Sequence, residues 1–362
     1  MRFTAAAHGR SGSRSGRCTK GASTSPSTSR TAATTCADGK PSTRANGAPT
    51  KEALVTTEGS DLTVGLIAPG KIGLPFAANL IADGYTVWGY RRSSMADFEA
   101  VGGKAATSAK EVAERADIIF TCVTSADALD DVISGEQGLL AAGRSDLLVV
   151  DIGAMALSRK EAARDALAAH GITMLDAPVS GTPPMVAQRQ GTVFASGDRS
   201  AVERVRPALE ALGRVISTGE FGSGSKMKFV ANTLTFVHIT AAAEAIALAK
   251  AVGLDTQLVI DTIKPSAAAS TMFNVRAPMM AAGQTRPVKG TVSGAVEVAE
   301  AIMATAAEVG AAMPLMSTVR RICEAACAQG YGEEDIAVLV SVLESEPAQT
   351  VTPGLNTAGS AI

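Results

Sequence analysis

Leu62-Thr-Val-Gly-Leu-Ile67-Ala-Pro-Gly70-Lys-Ile-Gly73-Leu-Pro-Phe-Ala-Ala-Asn-Leu80 is the stretch that decides the fold. Leu62–Ile67 is a short β-type run, a loop punctuated by two glycines follows, and an apolar-periodic helix then runs to Asp83-Gly84. A strand feeding a helix through such a loop is where backbone N–H groups and a helix N-terminus meet a pyrophosphate. Ala68, Pro69, Gly70, Lys71, Ile72 and Gly73 are therefore candidate dinucleotide contacts. Gly70 would let the phosphate approach, and Gly73 would let helix and strand pack closely. Ala68 stands where a GxGxxG loop has its first glycine, and the competing reading is a tight structural turn.

Outward from this stretch the alternation continues. Thr86–Tyr90 reads as a second strand, Ser108-Ala-Lys-Glu111 as a capping box, and Asp117–Val123 as an unbroken apolar strand of the buried parallel kind. Leu147–Val150 repeats that pattern, and Ser158-Arg-Lys-Glu161 offers another capping box. Further strands are expected at Thr173–Leu175, Thr192–Ala195 and Val215–Ser217. Repeated βα units predict an α/β, Rossmann-type, doubly wound parallel sheet with ligands at the carboxyl ends of its strands. After Gly222 the β pattern stops. Met227–Ala251 reads as one long helix, and helical periodicity runs on to Leu343 with breaks at Pro265, Pro278, Pro287 and Pro314. The expected division is a disordered extension over 1–60, a nucleotide-binding domain over 61–221, a long interdomain helix with an all-α domain over 222–345, and a flexible tail over 346–362.

Charge is unevenly spread along the 362 residues. Residues 1–50 carry eight Lys/Arg against one acid, Asp38, while the remaining 312 carry 25 basic and 34 acidic groups. A body that acidic argues against nucleic acid as a partner. The first 50 residues hold 17 Ser/Thr and no Val, Ile or Leu, too little apolar surface to offset chain entropy. They are Arg- and Ser-rich like an organelle transit peptide but lack an apolar helical face, so a cytoplasmic protein is expected, with an organelle matrix as the alternative. Phe229–Val252 is apolar but contains Asn232, His238, Glu244 and Lys250, which favours a helix inside the protein over a membrane span. Five cysteines, at 18, 36, 122, 323 and 327, form no CxxC pair, so no metal site or disulfide framework is expected. Cys323 and Cys327, one helical turn apart, read as buried thiols in a reducing compartment, and His238 as a packed, hydrogen-bonded histidine.

The second strand ends at Arg91-Arg92-Ser93, where NAD enzymes place an acid on the ribose hydroxyls. Two guanidiniums and a hydroxyl suit a 2′-phosphate, so NADP(H) is expected over NAD(H). A solvated arginine pair is the alternative. Val123 and Thr124, just past the apolar strand, complete the candidate cofactor contacts.

Four stretches together resemble the β-hydroxyacid dehydrogenase family, which includes 3-hydroxyisobutyrate and 6-phosphogluconate dehydrogenases. They are Val64–Leu80 with its Pro75 and Asn79, Asp176-Ala-Pro-Val-Ser-Gly181, Gly222-Ser-Gly-Ser-Lys-Met-Lys-Phe-Val-Ala-Asn232, and Tyr331-Gly-Glu-Glu-Asp335. The resemblance implies a catalytic lysine at Lys228 with Asn232 as its partner, and i, i+4 spacing puts both on one helical face. It implies that Ser180 and Gly181 hold the carboxylate end of a small substrate, with Thr182 where a second glycine is usual. It further implies hydride transfer between NADP(H) and a small β-hydroxy acid or semialdehyde, in a homodimer or homotetramer. A lysine with ordinary pKa about 10.4 would need desolvation or a positive neighbour to serve as a base. The family's Asp-x-Ser-Thr stretch is Asp151-Ile-Gly153-Ala154 here, its later lysine falls on Glu297, followed by Val298, and Ala231 replaces an asparagine. Those departures keep two alternatives open: a non-catalytic dinucleotide-binding protein and an imine reductase-like enzyme.

Overall fold

The computed structural model describes residues 62–123 and 125–345. The expected extension over 1–60, the tail over 346–362 and the candidate contact Thr124 lie outside the described residues. The strands are β1 (Thr63–Ile67), β2 (Thr86–Tyr90), β3 (Lys104–Ala105), β4 (Ile118–Thr121), β5 (Leu148–Asp151), β6 (Thr173–Asp176), β7 (Val179–Ser180), β8 (Gly191–Ser196) and β9 (Gly213–Gly219). Around and after them come α1 (Gly73–Ala82), α2 (Ala96–Ala100), α3 (Ala109–Arg115), α4 (Ala126–Ser134), α5 (Leu157–Ala168), α6 (Pro183–Ala187) and α7 (Arg199–Glu210). From residue 223 the described chain is helical: α8 (Ser223–Ala251), α9 (Thr256–Ile263), α10 (Thr271–Ala281), α11 (Val292–Glu308), α12 (Pro314–Ala328) and α13 (Leu339–Ser345).

One sheet runs in the order β3-β2-β1-β4-β5-β6-β8, so the order in which strands are added reverses between β1 and β4. The first six strands are parallel. β8 is antiparallel to both β6 and β7, which share its edge in one register, and β9 adds parallel on its other side. The doubly wound parallel sheet expected from the sequence is thus present, and β8 and β9 extend it running opposite to the first six strands.

Alternation along the strands divides the core. Val64, Leu66, Ile118, Phe120, Leu148 and Val150 pack on the α1 side, while Ile67, Ile119, Val149 and Met174 pack with α3 and α4. Both faces are covered, which is why these strands read as continuous apolar runs. A third core is built by the helices, from Phe229 and Ile246 of α8 to Leu339 and Val342 of α13.

Helix starts follow local chemistry. Ser108, Ser125, Asp198, Asp255, Ser270 and Thr291 each accept the N–H three residues on, a contribution of about 1 kcal/mol per helix. Glu111 answers Ser108, although it reaches the N–H and hydroxyl of Thr107. The second expected box fails: Ser158 lies inside α5, which begins at Leu157 without a side-chain cap. Pro278 likewise does not end a helix but sits inside α10, where burial of Phe273, Ala277, Met279 and Met280 outweighs one lost hydrogen bond.

α8 is long and apolar enough to cross a membrane by length and composition alone. Its Ile239, Ala242, Ala243 and Ile246 are buried in the helical core, and its N-terminal part packs against β6, β7, β8 and β9. His238 is exposed rather than packed. Cys323 is buried and Cys327 half-buried, and both are free, as is Cys122.

The helical part is locked by Asp335, fully buried, whose two oxygens take Arg276 Nη1, the Lys289 N–H at 2.7 Å and the Ala337 N–H at 2.9 Å. Removing one member of such a pair strands a buried charge. Arg276→Ala is expected to lower unfolding free energy by about 3–5 kcal/mol. Glu344→Ala, at the half-exposed Lys250–Glu344 pair, should lose less than about 1 kcal/mol. Urea denaturation of the two variants checks the contrast.

Candidate active site

Register gathers the candidate residues. Tyr90, Ile67, Thr121, Asp151, Asp176 and Ser196 form one row across six strands. Just past that row lie the loop 68–73, Arg91–Ser93, Val123, residues 152–154 and the segment 177–182.

The 68–73 loop has the shape an anion needs. Ala68 adopts a left-handed backbone (φ 57°), so alanine occupies the conformation for which glycine is the usual choice, and its N–H is tied to Tyr90 O at 2.7 Å. Among the described residues nothing accepts a hydrogen bond from the N–H groups of Gly70, Lys71, Ile72 or Gly73, and Ile72 caps α1 without a side-chain bond. Gly70 is exposed, and a Cβ built on it would meet only Ala68 O, at 3.9 Å. Four free donors at a helix N-terminus beside open space fit the pyrophosphate of a dinucleotide.

Arg91 and Arg92 divide. Arg91 donates to Pro69 O (Nη1, 2.7 Å) and Ser94 O, and pairs with Asp97, whose carboxyl it holds below the usual carboxylate range. It staples the loop after β2 to the 68–73 loop. Arg92 and Ser93 are exposed, with no partner among the described residues, and are free for a phosphate. Val123 is buried. Its carbonyl lies where a Cβ at Gly153 would come within 2.6 Å, so the two loops touch backbone to backbone.

On the substrate side, Ser180 lies on β7 and Gly181 follows it, both half-buried. Thr182 is the N-cap of α6 but makes no capping bond, which leaves its hydroxyl available. Lys228 and Asn232 lie four residues apart in the first two and a half turns of α8. Asn232 is buried, and its amide makes no hydrogen bond to a described residue. The Lys228 side chain is half-buried, without a carboxylate partner among the described residues, and desolvation pushes its pKa down to about 8. Lys226 and Met227 are exposed, Ala231 is half-buried, and Glu297 is exposed on α11 with half-buried Val298 beside it.

What sequence reasoning missed is a buried charge cluster at the ends of β5 and β6. Lys160, Asp151 and Asp176 have no exposed surface. Lys160 Nζ reaches Asp151 Oδ1 at 2.8 Å, Asp176 Oδ1 at 2.8 Å and Gly153 O at 2.7 Å. Burial alone would lower its pKa, but Asp151 and then Asp176 outweigh that and hold it above the ordinary lysine value. Thr121 Oγ1 donates to Asp151 at 2.6 Å. Asp176 also accepts from Ser225 N at 2.7 Å, Ser225 Oγ at 2.8 Å and Ser196 Oγ at 3.2 Å. The available signal was spacing: Lys160 shares the helical face of Ala163 and Leu167, both buried. Asn79, whose amide donates to Val186 O and Ala211 O at 2.8 Å each, is structural.

Comparison with known proteins places this arrangement in a family. Residues 63–222 match the NAD binding domain of 6-phosphogluconate dehydrogenase, and residues 222–343 match the NAD-binding family of NADP-dependent 3-hydroxyisobutyrate dehydrogenase. L-threonate dehydrogenase of Escherichia coli K12 is 32% identical over 289 residues, 78% of this chain and 95% of that protein. An NAD-dependent L-serine dehydrogenase of Pseudomonas aeruginosa is 28% identical over 79% of this chain and 99% of its own length. Among solved structures, a 3-hydroxyisobutyrate dehydrogenase from Salmonella typhimurium superimposes with TM-score 0.72 at 30% identity, covering 78% of this chain and all of that one. The chain belongs to the β-hydroxyacid dehydrogenase family, whose members use NAD(P).

Two substitutions test the cofactor loops. Ala68→Gly removes a left-handed alanine and should raise stability by about 1 kcal/mol in thermal unfolding. Gly153→Ser must displace the Val123 carbonyl, and should destabilise the protein and weaken dinucleotide binding in a fluorescence titration of Trp88.

Proposed function

We propose that this protein is an NADP(H)-dependent oxidoreductase interconverting a small β-hydroxy acid and its semialdehyde, with Lys228 as general acid/base. The observation that carries the reading is the Lys228 amine, desolvated to a pKa of about 8 and four residues from a buried, unpartnered Asn232. A lysine with that pKa can give or take a proton near neutral pH. When bound, the nicotinamide accepts or donates the hydride.

The chain's own residues supply the rest. Lys228 protonates the carbonyl oxygen during reduction and removes the hydroxyl proton during oxidation. Asn232, on the same face of α8, orients that oxygen. Ser180, Gly181 and Thr182 receive the substrate carboxylate through hydroxyl and N–H donors. The N–H groups of 70–73 hold the pyrophosphate, with Ala68, Pro69 and Val123 forming the walls. Arg92 and Ser93 take the 2′-phosphate, while Arg91 fixes the loop that presents them, so NADP(H) is preferred over NAD(H). The dehydrogenases acting on L-threonate and L-serine among its relatives support a short polar carboxylate as substrate.

The cofactor half is assigned to residues up to about 221, and the helical half from 222 completes the substrate side. A homodimer or homotetramer is proposed from α8, whose Val230, Leu234 and Leu248, with Val252 just past its end, are each more than half exposed along one face. Free thiols fit a reducing cytoplasm.

The deciding assay is NADPH consumption, with NADH in parallel, against glyoxylate and the succinic, methylmalonic and tartronic semialdehydes, together with L-threonate oxidation. Turnover with one of them, faster with NADP(H), is expected. No turnover while NADPH still quenches Trp88 would favour the non-catalytic reading. Lys228→Ala should cut kcat by about 10²–10⁴-fold and leave NADPH binding in place. The pH dependence has opposite signs in the two directions. Oxidation needs the neutral amine and should accelerate as pH rises through about 8, whereas reduction needs the ammonium and should slow above about 8.

A further inference from the structure

We infer that Lys160 is a positioning residue for Lys228, acting through Asp176 and the first turn of α8. The inference rests on the reading of Lys228 given above. α8 starts without a cap of its own, since its N-cap is Gly222, left-handed and without a side chain. Both caps come from the sheet. Asp176 Oδ2 accepts the Ser225 N–H at 2.7 Å, and Ser196 Oγ accepts the Gly224 N–H at 3.0 Å. The fit is tight, because a Cβ on Gly224 would lie 2.2 Å from Phe194 O. Lys228 follows Ser225 by three residues, less than one turn.

The cap depends on a charge that has no water to face. Asp176 is fully buried, and the ammonium of Lys160 is the cation bonded to it. The charged groups meeting there are Lys160 from α5, Asp151 from β5 and Asp176 from β6, while Ser196 of β8 and Ser225 of α8 contribute neutral donors. One excess negative charge remains, at the end of a 29-residue helix whose dipole favours it. The third bond of Lys160, to Gly153 O, holds the loop that touches Val123 on the cofactor side. One ammonium therefore sets the loop after β5 and the helix that carries Lys228. Removing it leaves two buried carboxylates facing each other, and the first turn of α8 loses its fixed anchor.

The test uses the full chain as wild type, Lys160→Met, Lys160→Arg and Asp176→Asn. Competitive acetylation read by mass spectrometry gives the pKa of Lys228 without turnover, steady-state assays give kcat and KM, and Trp88 quenching gives NADPH affinity. In Lys160→Met and Asp176→Asn, Lys228 should rise from about 8 toward the free-lysine value of about 10.4, because water reaches it. Both variants should lose about 10–100-fold in kcat. NADPH binding should change little in Asp176→Asn, which keeps the Lys160 bond to Gly153 O, and should weaken in Lys160→Met, which loses it. Lys160→Arg, which keeps the charge, should restore part of both. Asp176→Asn leaves Lys160 and Asp151 as a matched pair, so it decides the question if Lys160→Met does not fold. A folded Asp176→Asn whose Lys228 stays near 8 with unchanged kcat overturns the inference. A wild type inactive on every hydroxy acid and semialdehyde, but with Lys228 shifting in the variants, overturns the proposed reaction and leaves the coupling standing.

Discussion

A lysine ammonium carries three protons, and in a dry interior each needs an acceptor. Lys160 meets that demand with Asp151, Asp176 and the Gly153 carbonyl, all within 2.8 Å. Much of the architecture follows from where those acceptors stand. Asp151 and Asp176 are register partners at the ends of adjacent parallel strands, so their carboxylates face the same cation. Exchanging the cluster for apolar side chains would cost little on general grounds, since buried ion pairs rarely add net stability. What the cluster supplies is direction. It ties the carboxyl ends of β5 and β6 to a loop on one side and to the start of a long helix on the other.

The dinucleotide end is organised by backbone rather than by charge. Its 68–73 loop offers four N–H groups, which meet no acceptor among the described residues, and the positive end of α1. Arg91 contributes by restraint, since its guanidinium is occupied by Pro69 O, Ser94 O and Asp97. That division leaves Arg92 and Ser93, exposed and without a partner among the described residues, as the loop's free polar groups. A guanidinium already satisfied makes a poor ligand and a good strut, and the two neighbouring arginines differ in just that respect.

The sheet and the long helix were legible because both are periodic. Thr86–Tyr90 is bounded in the structure as the sequence implied, and the other main strands shift by one or two residues at their ends. Tertiary burial hid the rest. Pro278 looks like a break until the apolar residues around it in α10 are seen to be buried. β8 was expected as a strand at Thr192–Ala195, but its antiparallel pairing was hidden because β7 has two residues and no pattern to detect. Lys228, Asn232 and Ser180 were visible only through a resemblance in motif order, since a lysine and an asparagine on a helix are otherwise unremarkable. Lys160 was visible in principle. Its place on the Ala163–Leu167 face conflicts with its charge, and such a conflict marks a partner elsewhere. Reading Ser158–Glu161 as a cap put the emphasis on the wrong residues of that tetrapeptide.

The departures from the family pattern have different physical meanings. Ala68 replaces a glycine but keeps its left-handed backbone, so the loop geometry survives at the expense of local strain. Gly153 replaces a hydroxyl-bearing residue at a point where any side chain would strike the Val123 carbonyl. Its own N–H still reaches Asp151 at 3.2 Å, and its carbonyl takes the ammonium of Lys160. Asp151 thus keeps a full set of donors from Thr121, Gly153 and Lys160, and no buried oxygen is stranded by the change. Glu297 is a different case, because it is exposed on α11 and nothing on its own helix replaces the lysine that the family pattern implies. The loss at the sheet edge is structurally compensated and the loss on α11 is not. Under the proposed function, substrate choice should therefore diverge at α11 before it does at the cofactor loops.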